Sequence, residues 1–135
     1  MTIEISNVII EKPLVDLSEL STEEETGTDI IELVKREVVD FCKEHLAVGN
    51  ERDAGFSEFS FDLSSQTVHF KIWIKSKHKT NGITIYSVSY DISGEYNLRN
   101  ISDSALDTEI CVSTPVGRMC IKAKSIIEIF MKLMG

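Results

Sequence analysis

The chain has 135 residues, of which 42% are hydrophobic and 27% are charged, and its formal net charge is −8. This length suits one domain, and the balance of hydrophobic and charged residues argues against a disordered chain. An acidic protein repels the phosphates of nucleic acids and of anionic membranes, so we expect neither nucleic-acid binding nor membrane insertion. The sequence begins without a secretory signal pattern and no apolar run approaches the roughly 18 residues of a membrane span, which predicts a cytoplasmic protein.

The first third of the chain holds most of the acidity. Residues 1–51 carry 13 acidic and four basic side chains, whereas residues 52–135 carry nine and ten. Residues 2–10 combine alternating and consecutive apolar residues, which predicts a strand. Residues 11–28 are polar and acidic, which is typical of a loop or linker.

A helix is predicted from Asp29 to about Leu46. Asp29 can cap the first turn, and Glu32, three residues later, completes the pattern of a capping box. Apolar residues recur at helical spacing from Ile30 onward, so they form one face that another element must cover.

Alternating apolar residues then predict an antiparallel β-meander. The period-two pattern runs over residues 59–63, 68–75 and 86–98, and it is the strongest pattern in the sequence. Asn81-Gly82 suits a tight hairpin turn because both residues tolerate a positive φ. The last strand is long enough to need a bend, for which Gly94 is the expected place.

The C-terminal segment allows two interpretations after a short helix within residues 103–110. In the first, which we favour, Thr114-Pro115 begins a helix whose apolar residues keep helical spacing to the end of the sequence. In the second, residues 110–123 form a hairpin that turns at Pro115-Val116-Gly117, and the helix begins only near Ser125.

Together these elements predict an α+β fold that forms a single domain over residues 1–135. An antiparallel meander of about four strands is covered by the helix of residues 29–46 and by the C-terminal helix. The C-terminal helix carries aliphatic residues beyond its main face, at Ile121, Ile129 and Leu133. A helix that is apolar over most of its circumference is buried on more than one side, so we expect these three residues to contact a second copy in a homo-oligomer.

No pattern in the sequence is diagnostic of catalysis or of a metal site. The three histidines fall on a predicted helix, a strand and a hairpin tip, and none has a nucleophile in a recognisable arrangement. The three cysteines form an odd set without a metal-binding spacing, so we interpret them as reduced, buried side chains. These residues are His45, His69, His78, Cys42, Cys111 and Cys120. We therefore predict no catalytic residue, no metal and no cofactor.

Trp73, the only tryptophan, is the candidate anchor of a partner-binding site. By alternation it shares a polar face of its strand with His69, Lys71 and Lys75, and a large aromatic side chain on such a face is typical of a binding surface. The alternative is that Trp73 packs across strands onto lysine stems. The basic segment Lys75–Lys79 at the hairpin tip is either solvated or a grip for an acidic partner or a phosphate.

Residues 66–135 resemble the export chaperone SecB and its SecB-like relatives. The residues that carry the resemblance are Tyr96, Leu98, Asn100-Ile101-Ser102-Asp103, Leu106, Cys111, Pro115 and Ile126-Ile127 leading to Gly135. The acidity of the chain is also similar to that of the family, whereas the helix of residues 29–46 is not part of the family pattern. The resemblance implies a non-catalytic protein that self-associates and offers apolar grooves to unfolded or partly folded clients.

We therefore expect a non-catalytic, chaperone-like protein-binding domain in the cytoplasm, whose partners are protein clients or a single protein partner. The alternative is a small acidic inhibitor or immunity-type protein whose first third neutralises a basic partner, with electrostatic attraction speeding the association. A small enzyme or ligand-binding domain, with a pocket between sheet and helix, is the least favoured class.

Overall fold

The computed structural model describes residues 2–5 and 25–135, and it describes side chains from Ile30 onward. This part of the chain has the predicted α+β fold. The helices are α1 (Glu25–Leu46), α2 (Asp103–Asp107) and α3 (Ala123–Phe130), and a 3₁₀-helix follows at Met131–Met134. The strands are β1 (Thr2–Ile5), β2 (Glu51–Asp62), β3 (Thr67–Thr80), β4 (Ile83–Asn97), β5 (Glu109–Thr114) and β6 (Gly117–Lys122).

The predicted antiparallel meander is formed by β2, β3 and β4, in that order. The turn between β3 and β4 lies at Asn81-Gly82, as predicted, and the φ angles of the two residues are 52° and 77°. Positive φ at both positions gives the turn a twist that matches the twist of the strands. Gly94 of β4 lies opposite Phe70, and a Cβ at this position would be 2.9 Å from the Phe70 ring, so only glycine fits there.

The remaining strands form a second sheet in the order β1-β5-β6. β1 is parallel to β5, and β6 is antiparallel to it. The described strands therefore divide into two sheets of three. β1 corresponds to the start of the strand predicted at residues 2–10, and residues 6–10 lie outside the described residues. Of the linker predicted at 11–28, residues 25–28 belong to α1 and the others also lie outside the described residues.

The favoured prediction of a long C-terminal helix from Thr114-Pro115 is wrong, and the hairpin alternative is confirmed. The pairing of β5 with β6 runs from Glu109 opposite Lys122 to Thr114 opposite Gly117. Helix α3 begins only at Ala123. β5 lies in the middle of its sheet and pairs with a strand on each side. The partner on one side, β1, comes from the other end of the sequence, and this pairing outweighs the helical spacing of the apolar residues.

Ile121 consequently lies in β6 and not on the C-terminal helix. Its cross-strand partner is Ile110, and both side chains are buried in the core. Because strand alternation turns Ile121 toward the core, the prediction that it contacts a second copy from the C-terminal helix is wrong.

The core lies between the inner face of the meander and the two longer helices, as predicted. One residue per turn of α1 is fully buried: Val34, Val38, Cys42 and Leu46. Phe130 of α3 packs among rings of the meander, with its ring centroid 5.1 Å from that of Phe70 and 6.3 Å from that of Phe59. The polar side chains of the meander consequently lie on the opposite face.

Cys111 and Cys120 form a disulfide, so the prediction of reduced cysteines is wrong for this pair. The β5–β6 hairpin places the two residues directly opposite each other, with their Cα atoms 4.1 Å apart. The spacing of these cysteines indicates a disulfide only once the hairpin and its register are known. The sequence pattern alone therefore did not predict the bond. Cys42 is free and buried, as predicted, and burial raises the pKa of its thiol to about 12.

Candidate protein-binding surface

The four residues predicted to bind a partner lie on one strand and on one face of the meander. His69, Lys71, Trp73 and Lys75 occupy alternate positions of β3. The side chains between them are fully buried in the core: Phe70, Ile72 and Ile74. Alternation therefore turns the predicted residues away from α1 and α3. We call this side of β2, β3 and β4 the outer face.

Charges on the outer face are arranged in columns, with acids on β2 and bases on β3. The cross-strand pairs are Glu51 with Lys77, Asp53 with Lys75, and Glu58 with Lys71. On the other side of β3 the same lysines lie opposite serines of β4, namely Ser87, Ser89 and Ser93. Because each lysine has an acidic residue across from it, the outer face suits a mixed-charge protein surface better than a phosphate backbone.

Close contacts between polar side chains join the three strands at one end of the outer face. His69 lies between two carboxylates, with Nε2 3.7 Å from an oxygen of Glu58 and Nδ1 3.4 Å from an oxygen of Glu95. Lys71 Nζ lies 3.4 Å from Asp91 Oδ2. The imidazole of His69 is half exposed, and ion pairs of exposed side chains contribute little to stability. Their effect is to fix the pattern of charge that a partner meets.

Trp73 lies at the centre of the outer face and is partly exposed. Its cross-strand neighbour on β2 is Gly55, and a Cβ at Gly55 would lie 2.8–2.9 Å from three atoms of the indole. The indole therefore lies against Gly55 of β2, in space that the Cβ of any other residue would fill. The indole Nε1 is buried there and has no hydrogen-bond partner among the described residues.

Asp91 is the neighbour of Trp73 on the β4 side, and it is buried although it belongs to the outer face. Its Oδ2 faces Lys71, whereas its Oδ1 is buried without a hydrogen-bond partner in the described part of the chain. Desolvation raises the pKa of this carboxyl above its usual range, and the charge of Glu58 adds to this effect. Lys71 opposes both effects but does not cancel them.

The tip of the β3–β4 hairpin, at Asn81-Gly82, reaches beyond β2. Of the basic segment predicted there, Lys75 and Lys77 instead pair with β2, and Lys79 lies next to the tip. The side chain of Asn50 anchors the tip, since Nδ2 donates to the carbonyl of Lys79 (2.6 Å) and Oδ1 accepts from its N–H (2.9 Å). Ile83 and Ile85 are 65% and 59% exposed at the same tip. The tip therefore presents aliphatic side chains beside Lys79.

The other two residues predicted for self-association, Ile129 and Leu133, are half-buried. Leu133 lines an apolar groove near the start of the described part of α1, which we call the end groove. Its lining residues are Ile30, Ile31, Phe61, Leu63, Lys132, Leu133 and Gly135. Lys132 Nζ donates to Glu37 Oε2 at 2.6 Å, which ties the 3₁₀-helix to α1 beside this groove.

The two histidines outside the outer face pack against aromatic rings. His45 packs on Phe41, with ring centroids 4.3 Å apart, and His78 stacks on Tyr86 at 5.8 Å. Among residues 30–135, one group of residues has the chemistry and the proximity to ligate a metal, and it lies on the second sheet: Glu109, Cys111 and Cys120.

Sequence reasoning missed Gly55 and Asp91. A glycine inside a strand pattern indicates that another group approaches the backbone closely. Such an approach at Gly55 could have been predicted from the sequence, but not that the approaching group is Trp73. Asp91 occupies an ordinary polar position of the alternating β4 pattern, and its burial follows from neighbours on other strands. That burial has no signal in the sequence.

No family model, curated protein or solved structure matches the chain. Within the described residues, no helix combines the length and the apolar character needed to cross a bilayer. The function of the chain is therefore inferred from its own geometry.

Proposed function

We propose that this chain is a non-catalytic protein-binding domain that self-associates, with the outer face as its recognition surface and Trp73 as the anchor. The observation that carries the proposal is the seat of Trp73. The missing side chain at Gly55 leaves room for the indole, which is partly exposed among charged side chains. A rigid aromatic side chain offers a large contact area at a low cost in conformational entropy, which is why tryptophan is enriched at binding hot spots.

A segment of protein is the partner that the outer face suits best. Its columns of opposite charge complement a polypeptide that carries both signs, whereas a polyanion would meet the acids of β2. Exposed aliphatic side chains near the face, such as Ile83 and Ile85, add apolar contact area. These features support the chaperone-like activity that the resemblance to the SecB family implies, with unfolded or partly folded chains as clients.

The end groove is the proposed contact between copies. Leu63 and Ile30 are 72% and 40% exposed at this groove, and Leu133 lines the groove with them. Covering these side chains with the same groove of a second copy removes apolar surface from water through one two-fold contact.

The fluorescence of Trp73 tests the recognition surface directly, because the chain has no other tryptophan. The probe is an unfolded polypeptide that lacks tryptophan and carries an extrinsic dye. We expect its addition to shift the emission of Trp73, and the anisotropy of the dye to give the affinity. Replacing Trp73 by alanine should weaken binding by about 2 kcal/mol, which is roughly thirtyfold in Kd.

Two control variants separate the surfaces. Trp73→Phe keeps a ring over Gly55 and should recover much of the affinity, whereas Leu63→Ser alters the end groove and should leave the Kd for the probe unchanged. Binding that survives Trp73→Ala but is lost in Leu63→Ser would place the client site in the end groove and reject the outer face.

A further inference from the structure

The face of the β5–β6 hairpin that is turned away from the core gathers three metal-ligating groups. Glu109 precedes Cys111 by two residues and so shares its face, and Cys120 lies directly across from Cys111. The ligand atoms of the three residues all lie within 4.8 Å of one another. This cluster belongs to the second sheet and is separate from the outer face of the meander.

The surroundings of this cysteine pair differ from those of Cys42, which packs in the hydrophobic core. Cys42 belongs to the hydrophobic core cluster, but Cys111 does not, although its side chain is also fully buried. Cys120 is exposed and Glu109 is half-buried, so both an incoming thiolate and a metal ion can reach the cluster from solvent.

We propose that the Cys111–Cys120 disulfide is the metal-free form of a redox-controlled zinc site. A dithiol reductant attacks the sulfur of Cys120, the exposed residue of the pair, and breaks the S–S bond. It delivers two electrons and two protons, becomes a disulfide itself and leaves two thiols on the hairpin. Zinc then displaces the two thiol protons and binds both Sγ atoms and a carboxylate oxygen of Glu109, with water as the fourth ligand.

The ligand set determines the class of metal. Two thiolates and one carboxylate suit Zn²⁺, whereas Mg²⁺ and Ca²⁺ take oxygen ligands alone. Zn–S bonds of about 2.3 Å at tetrahedral angles hold two sulfurs roughly 3.8 Å apart. Directly opposed cysteines on a hairpin can span this distance by rotating their side chains, with no change in strand register.

The hairpin is therefore cross-linked in two of its three states. The disulfide and the bound zinc each join β5 to β6, whereas the reduced, metal-free chain relies on backbone pairing and packing alone. Zinc should consequently raise the Tm of the reduced protein and leave the Tm of the oxidised protein unchanged, since a ligand stabilises only the form that binds it.

Cobalt(II) serves as the spectroscopic probe for zinc. We expect the reduced, refolded chain to take up one Co²⁺, to develop thiolate-to-cobalt charge-transfer absorption in the near ultraviolet, and to lose this absorption when Zn²⁺ is added. The oxidised chain should show none. Glu109→Gln should weaken Co²⁺ binding by more than about tenfold, because it removes a ligand and loss of even an outer-shell partner costs about tenfold or more.

Matched cysteine variants make the result decisive. Cys120→Ser should abolish the charge-transfer band, whereas Cys42→Ala, which removes the buried free thiol, should retain it. Circular dichroism of each sample establishes that the chain is folded. The proposal is overturned if the folded, reduced chain gives no charge-transfer band, if the band survives Cys120→Ser, or if the reduced chain stays unfolded with Co²⁺ present, since the site requires the hairpin.

Discussion

Trp73 and Asp91 are cross-strand neighbours that cannot satisfy each other. The indole lies toward β2, over Gly55, and Asp91 lies on β4, so β3 separates the indole N–H from the carboxylate. Each keeps a buried polar atom without a hydrogen-bond partner among the described residues. Such an atom costs about 1–3 kcal/mol, and groups of this kind in native proteins frequently have a functional explanation. At the scale of single residues, the unpaired polar atoms of Trp73 and Asp91 therefore lower the stability of the folded state at the centre of the outer face.

The pH dependence of Asp91→Asn measures this cost. Because the folded state raises the pKa of Asp91, the folded chain holds this proton more tightly than the unfolded chain. The stability that the protonated carboxyl contributes is complete below about pH 4 and is lost as the pH rises through the folded-state pKa. We expect Asp91→Asn to be more stable than the wild type at pH 7, by about 1 kcal/mol, with the difference shrinking toward pH 3. Urea unfolding at both pH values provides the measurement, and a difference that grows on acidification would contradict the assignment.

Gly55→Ala tests the seat of Trp73. The new Cβ would meet the indole at 2.8–2.9 Å, so the ring has to leave its position. We expect the emission of Trp73 to move to longer wavelength and client binding to weaken, with a change in stability of no more than about 1 kcal/mol. Gly82→Ala is the control, because it strains a turn residue with a φ of 77° but has open space around the new Cβ. Gly82→Ala should lower stability and leave the emission unchanged. If the emission were also unchanged in Gly55→Ala, the surroundings of Trp73 would not depend on Gly55, and the proposed seat of the ring would be wrong.

At the scale of elements, sequence patterns predict the features that depend on residues close together in the chain. The face of α1, the alternation of the meander and the Asn81-Gly82 turn depend on local spacing, and all three are confirmed. The favoured prediction fails at the β5–β6 hairpin because the apolar residues from Val116 onward fit a helix equally well and the pairing of β5 with β1 is non-local. The candidate surface likewise has one feature that the sequence predicts and one that it does not. Alternation places Trp73 on a polar face, whereas the burial of Asp91 depends on neighbouring strands.

Helix α3 is an integral part of the core, and two of its isoleucines allow a matched test. Ile127 is 1% exposed, whereas Ile129 on the same helix is half-buried. Ile127→Ala should lower the free energy of unfolding by about 2–5 kcal/mol, since it leaves a cavity between α3 and its neighbours. Ile129→Ala removes the same atoms from a more accessible site and should cost distinctly less. Denaturant unfolding compares the two, and an unchanged midpoint for Ile127→Ala would mean that α3 is dispensable for the fold.

At the scale of the whole molecule, the two helices cover one face of the meander and leave apolar side chains uncovered at the end groove. Leu63 is 72% exposed, and Ile30 is 40% exposed. The 3₁₀-helix packs against α1, so Leu133 is held beside Ile30 and Leu63. The exposed ion pair between Lys132 and Glu37 adds little to this packing. A fixed apolar surface loses little entropy when a second copy covers it, which favours association.

Self-association through the end groove is the last expected outcome. Sedimentation equilibrium at micromolar concentration should give the mass of a dimer, because one two-fold contact between end grooves joins two copies. Leu133→Glu places a charge in that contact and should shift the equilibrium to the monomer, since an unpaired charge is costly to bury. Val116→Glu changes a side chain that is 65% exposed in the β5–β6 turn, outside the groove, and should leave the mass unchanged. A monomer mass for the wild type would remove self-association from the proposed function, and dissociation by Val116→Glu alone would move the contact to the second sheet.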